Sequence, residues 1–515
     1  MTIRSSILMG GMAAAVALTA AGGAFAAGPT PLYGGGSTLV EKVYRDLFNT
    51  YGASASGDLC SGRTLCPRAA QEYNSAVELL YVGVGSGNGL KALDGYDPSQ
   101  FISGAKVADK VPTPSGRDFG AFYGTGTGTA WVPDGASTKF YPSVSFAGSD
   151  NTLSQTDVDS VKALGFGPVI QLPGLTAAIA VPFKPTAGWN PHGVTVRGNK
   201  AKVQLSTNTI CGIFTGAIKV WSDPAITKDN GGVKLGTGTI KVVYRNDSSG
   251  TTFIFTNALL NQCGTTAHPT KSTHKIPDQW LADNSITPAA KAPFYHSGTS
   301  FFINVFKANH LPANFYNDNG GASGVTGGAS GSGGLQKIIN ATAGSIGYIS
   351  PDFVQPVDPN GPQAANVQTY ATFNGGKTPV YVAPTAGNAQ AAMATAAPPT
   401  FSKANPLNWG AVQPTPTAAS AYPFSGFSFI DLYTCYKSQA TVNALVATTG
   451  KHGFLTWYYG ASSVNAGKPA SLLASAGFAP IPTAWSKLAT TLLTSATLGP
   501  NVPGKGACAK IAKGA

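Results

Sequence analysis

Charged residues are scarce in this sequence, because Asp, Glu, Lys and Arg make up only 11% of its 515 residues. The basic residues are scattered, and no segment combines clustered Lys and Arg with interleaved aromatic residues. The net charge of +12 therefore favours a mild attraction of anions and does not indicate binding to nucleic acid. An internal repeat of fixed period is also absent, whereas the length is enough for about two or three domains.

Motifs of the common catalytic and metal sites are missing too. The histidines are dispersed, without H-E-x-x-H or any paired metal spacing, so each is expected to be an ordinary surface or core residue. Asn88 breaks a possible G-x-G-x-x-G in 83–89, and Val84 breaks G-x-S-x-G around Ser86. The chain also has no G-x-x-x-x-G-K-[ST]. We expect no catalytic residue, no metal and no cofactor.

The beginning of the chain predicts export. Arg4 is followed by an apolar run over 7–21, and Ala24-Phe25-Ala26 has the A-x-A pattern of a signal-peptide cleavage site. The run is too short and too rich in alanine for a membrane span, and no later segment qualifies. Residues 1–26 are therefore predicted to be a signal peptide that is removed near Ala26, which places the mature protein in the periplasm or outside the cell.

The cysteines agree with an oxidising compartment. There are six of them, namely Cys60, Cys66, Cys211, Cys263, Cys435 and Cys508. None has C-x-x-C spacing, which argues against zinc or thioredoxin-like chemistry, and an even number in an exported chain favours disulfides. The pair that is closest in sequence, Cys60 and Cys66, could form a disulfide that closes a small loop. Residue spacing alone leaves the pairing of the other four cysteines open.

Strand-to-helix turns rich in glycine and hydroxyl groups are the most informative feature that is present. The turn at 245–252, RNDSSGTT, follows the β-branched run 239–244 and precedes the apolar segment 253–260. A strand that ends in Ser-Gly-Thr before a helix directs backbone N–H groups, hydroxyls and the positive end of the helix dipole at one point. Arg245 adds a planar fork of donors there. This turn predicts an oxyanion site.

Three further turns have the same construction. The glycines at 34–36 precede a helix over 39–51, for which Thr38 and Glu41 predict a capping box. The segment 83–89 precedes a second helix, and Gly148-Ser149-Asp150 precedes a third near 156–164. Open α/β sheets bind ligands at the carboxyl ends of their strands, where helix N-termini gather. Four such turns, with one Arg and one Asp among them, indicate a shared anion site.

The remaining segments suggest how the chain is organised. The Gly/Ser-rich stretch 317–334 and the Ala/Pro/Thr-rich stretch 384–416 are predicted to be irregular surface loops. The alternating segment 171–183 is predicted to carry the chain between two halves of the fold, and the aromatic strand 422–433 to carry it back. Helices are expected near 441–458 and 482–495.

Eight segments, in order along nearly the whole mature chain, carry a resemblance to a known family. They are GGGSTL at 34–39, YVGVGSGNG at 81–89, FAGSDNTLS at 146–154, LSTNTICGIFTGAIKVW at 205–221, VVYRNDSSGTT at 242–252, GYISPDF at 347–353, YPFSGF at 422–427 and PIPTAW at 480–485. With these segments the chain resembles the periplasmic phosphate-binding proteins of ABC importers, the PstS family, and more closely their DING-type branch.

The resemblance implies an α/β type II periplasmic-binding-protein fold, with two lobes of mixed sheets joined by two crossing strands. After the signal peptide, the implied divisions are 27–168 for the first part of lobe 1, 169–421 for lobe 2, and 422–515 for the second part of lobe 1. Phosphate would be held between the lobes. The long segment 50–73 and the two predicted loops make this chain larger than typical members of the family.

The resemblance also implies the residues of the site. The family's phosphate shell falls on Thr38, the backbone of Leu39, Ser86, Asp150, Arg245, Ser249, Gly250 and Thr251, with Asp247 supporting the arginine. The first four would come from one lobe and the others from the second lobe. Two disulfides, Cys211–Cys263 and Cys435–Cys508, are implied as well, which leaves Cys60–Cys66 as a pair of this chain's own.

Three functions are open on this basis. The first is a monomeric receptor that captures inorganic phosphate and delivers it to the permease of an ABC importer. The second is a secreted phosphate scavenger without a transporter. The third is a DING-type phosphatase, against which the lack of a metal cluster or an activated nucleophile argues. The hydroxyls of the four turns could also be helix caps alone, but that use does not explain an Arg and an Asp among them.

Overall fold

The computed structural model describes residues 29–52, 73–103, 143–190, 195–196, 199–200, 203–266, 268–276, 302, 312–316, 328–399, 405–460 and 468–515. The strands are β1 (Thr30–Gly36), β2 (Val77–Gly83), β3 (Phe146–Ser149), β4 (Val169–Ala178), β5 (Pro182–Phe183), β6 (Thr195–Val196), β7 (Asn199–Lys200), β8 (Gln204–Leu205), β9 (Lys241–Val242), β10 (Ser345–Ile346), β11 (Gln363–Ala364), β12 (Asn366–Gln368), β13 (Tyr381–Val382), β14 (Ser425–Tyr433) and β15 (Ala479–Pro480). The predicted signal peptide, Cys60 and Cys66 lie outside the described residues.

Helices connect these strands. The α-helices are α1 (Glu41–Tyr51), α2 (Ser86–Gly95), α3 (Gln100–Ser103), α4 (Gln155–Leu164), α5 (Thr207–Phe214), α6 (Pro224–Asp229), α7 (Gly250–Cys263), α8 (Gly331–Ala341), α9 (Tyr370–Gly375), α10 (Ala386–Met393), α11 (Gln439–Val446), α12 (Phe454–Tyr459), α13 (Lys468–Ser475) and α14 (Thr483–Leu493). Short 3₁₀ helices span Pro351–Phe353, Pro406–Trp409 and Gly506–Cys508. Among the described residues, no helix combines the length and apolar character needed to cross a membrane.

The largest sheet has six strands in the order β15-β4-β14-β3-β1-β2. Strand β1 lies parallel to both β2 and β3, and β14 runs antiparallel to β3 and β4. Glycine in β1 permits close packing here, because a Cβ at Gly34 would lie 2.2 Å from the ring of Phe146. The parallel strands β1, β2 and β3 end at one edge of the sheet, so the turns that follow them are neighbours.

Smaller sheets form the other half of the fold. One has the order β11-β5-β10-β9, a second has the order β13-β12-β8, and β6 pairs with β7. We call the part built on the six-stranded sheet the first lobe and the part built on the smaller sheets the second lobe. Strand β4 of the large sheet continues through 179–181 into β5 of the four-stranded sheet. The Ile179 N–H donates to the Phe424 carbonyl at 2.7 Å, so the chain just before β14 runs beside this crossing. The predicted α/β fold with two lobes is confirmed.

Helix α10 shows that the alanine-rich stretch 384–416 is not simply a loop, which corrects the prediction. This helix packs against β4, β14 and β15 of the first lobe. Its side chains Ala389, Ala392 and Met393 are buried there, so a run of small residues allows close contact with the sheet. Helix α10 lies within the segment 169–421 that we assign to the second lobe by resemblance. The divisions at 27–168, 169–421 and 422–515 stay predictions.

Helix α1 docks on the large sheet through aromatic residues spaced about one turn apart. Its Tyr44 ring meets Tyr81 edge to face, with ring centroids 5.3 Å apart. The Phe48 ring lies 5.9 Å from Phe146 and 5.0 Å from Phe454, again edge to face. Such pairs favour these geometries and each add about 0.5–1.5 kcal/mol beyond the burial of area. This packing holds the start of α1, and with it the turn after β1, against the edge of the sheet.

Three further local predictions are wrong. The predicted capping box does not form, since α1 begins at Glu41 and its N-cap Val40 makes no side-chain hydrogen bond. The stretch 317–334 is not wholly a loop, because its last four residues open α8. The helix expected near 441–458 is two helices, α11 and α12, and Gly450 between them has a φ of +68° that ends helical geometry.

The disulfides that the resemblance implies are both present. Cys211 in α5 is bonded to Cys263 at the end of α7, and Cys435 after β14 is bonded to Cys508 near the C-terminus. The first pair joins two helices of the second lobe, and the second ties the C-terminal segment to the large sheet. The sequence separations are 52 and 73 residues.

Removing either disulfide is expected to destabilise the fold substantially. For loops of 52 and 73 residues, chain entropy gives about 4 kcal/mol of stabilisation per bond. Denaturant unfolding of the Cys211→Ser/Cys263→Ser variant would measure this, with non-reducing peptide mapping of the parent protein to verify the pairing. A loss below about 1 kcal/mol would contradict the assigned role of the bond.

Candidate anion-binding site

Three of the four predicted turns meet at one edge of the six-stranded sheet. Thr38 follows β1, Ser86 begins α2 after β2, and Asp150 follows β3. Because β1 pairs with β2 on one side and with β3 on the other, the ends of these strands lie next to one another. The turns are also bonded directly, since the Ser37 N–H donates to the Gly148 carbonyl at 2.8 Å. Backbone pairing of the strands and of the turns therefore fixes the relative positions of Thr38, Ser86 and Asp150.

Asp150 is the charged group at this edge, and it is only 1% exposed. Its Oδ2 accepts a hydrogen bond from Ser37 Oγ at 2.7 Å and a longer one from Ser86 Oγ at 3.5 Å. Its Oδ1 accepts from Ser428 Oγ at 2.7 Å. A buried charge is costly unless it is hydrogen-bonded, and here hydroxyl groups from β14 and from two turns supply the bonds.

The protonation of Asp150 is balanced between burial and these partners. Burial raises the pKa of Asp150 to about 6. The hydrogen bonds from Ser428 and Ser37, then the positive charge of Arg245 and the bond from Ser86, oppose that rise. Because the group loses its proton above its pKa, Asp150 is mainly an ionised acceptor at neutral pH and mainly a neutral carboxylic acid below about pH 6.

Arg245 supplies the positive charge from the second lobe, and its side chain is 2% exposed. The guanidinium donates to both oxygens of Asp247, from Nε at 2.6 Å and from Nη2 at 2.5 Å. Burial is the largest influence and lowers the pKa of Arg245, but the charge and hydrogen bonds of Asp247, with smaller contributions from Tyr348 and Asp150, together raise the pKa above its usual value. Asp247 also accepts the Gly331 N–H at 3.3 Å, which fixes the pair at the start of α8. The remaining guanidinium N–H groups can bind an anion.

Helix α7 begins beside Arg245 and adds its N-terminus to the site. Ser249 is the N-cap, and its Oγ accepts from the Thr252 N–H at 3.2 Å. Thr251 in the first turn is buried, and its Oγ1 has no hydrogen-bond partner in the part of the chain that is described. A buried polar group without a partner costs about 1–3 kcal/mol. An unpaired hydroxyl beside an arginine and a helix N-terminus is the kind of group that an anion satisfies.

The two lobes touch each other at this site. The Gly250 N–H donates to Ser86 Oγ at 3.2 Å, and the Gly87 N–H donates to the Ser248 carbonyl at 3.3 Å. A Cβ on Gly250 would lie 2.4 Å from the Cβ of Asp150, so only glycine allows the lobes to come this close. The arrangement is that of lobes closed on each other.

The predicted site residues are brought together, although at least three of them already have hydrogen-bond partners within the protein. The Leu39 N–H, expected to bind the ligand, donates to Ser37 Oγ at 3.0 Å. The Gly250 N–H donates to Ser86, as described above. Thr38, predicted as a ligand, has its Oγ1 3.3 Å from Ser332 Oγ on α8. The assignment of these residues to a phosphate shell stays a prediction.

Three serines of the site were missed by sequence reasoning. Ser37 stands next to Thr38 in GGGST, where the sequence pattern predicts only that it opens a helix. Ser332 falls in the stretch 317–334, which the sequence predicts to be a loop. Nothing in the sequence indicates that Asp247 accepts the Gly331 N–H and so holds the start of helix α8 at the site. Ser428 had a signal, since it is one of three polar residues, with Ser425 and Asp431, in the buried strand 425–433.

Adding a methyl group at Gly250 is expected to weaken anion binding. The new Cβ of Gly250→Ala meets Asp150 Cβ and Ser86 Oγ at 2.4 and 2.5 Å, so the lobes must move apart. Overpacking of this kind costs about 1–3 kcal/mol, which is roughly 5-fold to 150-fold in affinity. Gly387→Ala near the start of α10 is the matched control, because its Cβ meets nothing within 4 Å. Equal phosphate affinities of the two variants would contradict the closed geometry.

A metal centre is not indicated in the part of the chain that is described, where no group of three or more His, Cys, Asp or Glu side chains is placed to hold an ion.

Comparison with known families defines the class of the protein. A family model described as a PBP superfamily domain matches residues 28–462, so the chain belongs to the PBP superfamily.

Individual relatives narrow this class. The chain is 31% identical over 358 residues to a phosphate-binding protein of an unknown prokaryotic organism, covering 66% of this chain and 78% of that one. It is 27% identical over 463 residues to alkaline phosphatase L of Pseudomonas aeruginosa strain UCBPP-PA14, covering 88% and 86%. A solved periplasmic phosphate-binding protein, PfluDING with bound phosphate, matches with a TM-score of 0.55 and 25% identity, over 91% of this chain and 96% of that one. The resemblance to phosphate-binding proteins of the PstS and DING type is confirmed.

Proposed function

We propose that this protein captures inorganic phosphate between its two lobes and delivers it to an ABC importer. The observation that carries the proposal is the pairing of groups across the cleft. Arg245 and the Thr251 hydroxyl, which has no partner among the described residues, lie on one side, and the buried carboxylate of Asp150 lies on the other. This combination suits an oxyanion that still carries a proton. The relatives named as phosphate-binding proteins support the same ligand.

Binding and closure are coupled in this account. Phosphate loses its water on entering the cleft, and donors that the turns already hold in place replace that water at low entropic cost. Thr38, Leu39 and Ser86 act from the first lobe, and Ser249, Gly250 and Thr251 act from the second, with the Leu39 and Gly250 N–H groups exchanging their serine acceptors for phosphate. Because the ligand bridges both lobes, it stabilises the closed form, and that form is what a membrane partner recognises.

Lys42 strengthens the closed form without approaching the anion. On α1 of the first lobe, its Nζ donates to the Asp352 carbonyl at 3.1 Å and lies 3.8 Å from Asp358 Oδ2. It also sits 3.0 Å from the centroid of the Phe353 ring, a cation–π geometry. Next to it, Ser350 Oγ donates to the Leu39 carbonyl at 2.9 Å. These contacts tie the second lobe to the turn that holds Thr38.

A binding role explains the site better than catalysis does. The hydroxyls near Asp150 donate to it or cap helices, and no histidine or metal group accompanies them in the described chain. The phosphatase alternative remains because three relatives from Pseudomonas aeruginosa are named alkaline phosphatase L. Hydrolysis of a phosphomonoester by the wild type and by an Arg245→Ala variant separates the two. Activity that belongs to this site disappears in the variant, whereas activity from a contaminant survives.

The proposal also covers location and partners. The mature chain is exported after cleavage near Ala26, and it works as a monomer with a permease or, as the second candidate, as a scavenger in the medium. Titration calorimetry on protein stripped of ligand tests the binding function, with phosphate, arsenate, sulfate and a phosphomonoester as ligands. We expect binding of phosphate and arsenate only. Absence of phosphate binding in folded protein would overturn the proposal.

A further inference from the structure

We propose that Ser428 is a positioning residue that sets the phosphate-over-sulfate specificity of the site by keeping Asp150 an acceptor. The inference rests on the proposed function, because it concerns how the same site distinguishes two oxyanions. Ser428 lies on β14, far in sequence from the four turns, and its side chain is fully buried. It is not among the residues that we expect to touch the anion.

An irregularity in the sheet aims Ser428 at Asp150. Across β14 and β4, Ser428 pairs with Leu175 whereas Phe429 pairs with Pro173, so Gly174 is an extra residue on β4. Such bulges twist a strand and redirect side chains beside functional sites. On the other side of β14, Phe429 pairs with Ser149, the last residue of β3. Ser428 therefore stands beside Asp150, the next residue along the chain.

Gly174, the extra residue of this bulge, is packed too closely to carry a side chain. A Cβ at this position would lie 2.5 Å from the hydroxyl of Tyr44 and 3.4 Å from the Ser428 carbonyl. The bulge and the aromatic packing of α1 are thus part of the same local structure. Strand β14 is paired with β4 on one side and β3 on the other, and this pairing fixes the backbone at Ser428. Its side chain therefore faces Asp150.

The hydroxyl of Ser428 donates to Oδ1 of Asp150, whereas the other serines donate to Oδ2. Its Oγ is 2.7 Å from Asp150 Oδ1 and 3.4 Å from the Ser149 carbonyl, so the carboxylate is the better acceptor. Ser37 and Ser86 donate to Oδ2 instead. Ser428 is therefore the donor to Oδ1 among the described residues.

In the described part of the chain, Arg245 acts on the charge of Asp150, and Asp150 in turn acts on the buried Tyr44 and Tyr81. The positive charge of Arg245 lowers the pKa of Asp150, in the same direction as the hydroxyl bonds. Burial raises the pKa of both tyrosines well above the usual value, and the charge of Asp150 adds to that rise. Both tyrosines stay neutral throughout the range in which Asp150 titrates, so they do not blur its transition.

Loss of the Ser428 hydroxyl changes specificity through protonation. A hydrogen bond to the ionised form favours that form, so its removal lets Asp150 take up a proton at higher pH. A protonated Asp150 donates a hydrogen bond and accepts sulfate, which an ionised Asp150 repels. Sulfate is the right probe, because it carries no proton near neutral pH and its binding then reports the state of Asp150 alone.

The test measures sulfate affinity against pH, from about one unit below to about two units above the Asp150 pKa of about 6. In the wild type, sulfate binding should appear only as the pH falls through that value. In Ser428→Ala the midpoint should move upward by about one pH unit, a tenfold change in proton affinity. Ser428→Cys keeps the shape with a weaker donor and should give an intermediate midpoint, which also serves if the alanine variant folds poorly.

Ser425→Ala is the matched control on the same strand, because the Ser425 hydroxyl bonds the Tyr422 carbonyl and does not touch Asp150. Its midpoint should equal that of the wild type. If both Ser428 variants keep the wild-type midpoint while the wild type still prefers phosphate, this inference is wrong and the proposed function stands. If the folded wild type binds no phosphate at any pH, the proposed function itself fails.

Discussion

Arg245→Ala is expected to weaken phosphate binding by roughly 30-fold to several thousand-fold, which corresponds to about 2–5 kcal/mol. The guanidinium is buried, and Asp247 holds it in place through two hydrogen bonds. Without it, a desolvated anion faces the carboxylates of Asp150 and Asp247 without the cation that balances them. The loss should appear mainly as a faster dissociation rate, since a buried charge partner affects the bound state.

Titration calorimetry of the variant, with Lys505→Ala as the control, measures this effect. Lys505 is exposed near the C-terminus, so its removal lowers the net charge equally without touching the site. A phosphate affinity of Arg245→Ala within twofold of the wild type would show that the anion binds elsewhere.

Asp150→Asn is expected to change specificity more than affinity. Phosphate near neutral pH still carries a proton that the carboxylate can accept, whereas sulfate meets the carboxylate with lone pairs on both sides. Sites built around one such hydrogen bond discriminate by roughly 10⁴–10⁵. The Asn amide can turn its NH₂ toward a fully deprotonated oxyanion, so the variant should bind sulfate much better than the wild type does. The preference for phosphate should fall by several orders of magnitude.

Competition between phosphate and sulfate above pH 7 tests this, because wild-type Asp150, with a pKa of about 6, is then mainly ionised. Asp159→Asn on the exposed face of α4 is the control for loss of one carboxylate, and it should leave the preference unchanged. Should Asp150→Asn discriminate as strongly as the wild type, Asp150 does not contact the anion.

The turns and their order could be predicted from the sequence because each has a local signal. Glycines end the strands, hydroxyl residues open the helices, and apolar periodicity defines the elements on both sides. Helix α4 is an example, since Ser154 and Asp157 form a capping box at its start. Where the signal is local and strong, the element and its position agree with the structure.

The failures share a different cause, because they depend on contacts between distant residues. Thr38 does not cap α1, since its hydroxyl is drawn to Ser332 on the other lobe. The glycine-rich start of α8 is weak as a helix, but Asp247 accepts its Gly331 N–H and stabilises the first turn. The alanine-rich sequence of α10 predicts a loop, but in the structure its alanines are buried against the six-stranded sheet, and this contact stabilises the helix. No property of the isolated segments records these partners.

The residues of the site also divide into those with a local sequence signal and those that depend on distant contacts. The ionic groups Arg245 and Asp150 stand out in turns of glycine and serine, so their importance follows from the sequence. The hydroxyls that tune Asp150 depend on sheet register, because the bulge at Gly174 is what brings Ser428 beside it. Register between β4 and β14 is a long-range property, which explains why this partner of Asp150 was not foreseen.

A crystal structure of the protein with phosphate tests the central claim most directly. We expect one phosphate between the lobes, with Arg245 on one side, Asp150 accepting its proton on the other, and the Thr251 hydroxyl, unpaired within the described chain, donating to it. The lobes should keep the contact between Gly250 and Ser86 or a close equivalent. A phosphate bound away from Arg245 and Asp150, or an empty cleft at saturating phosphate, would contradict the account.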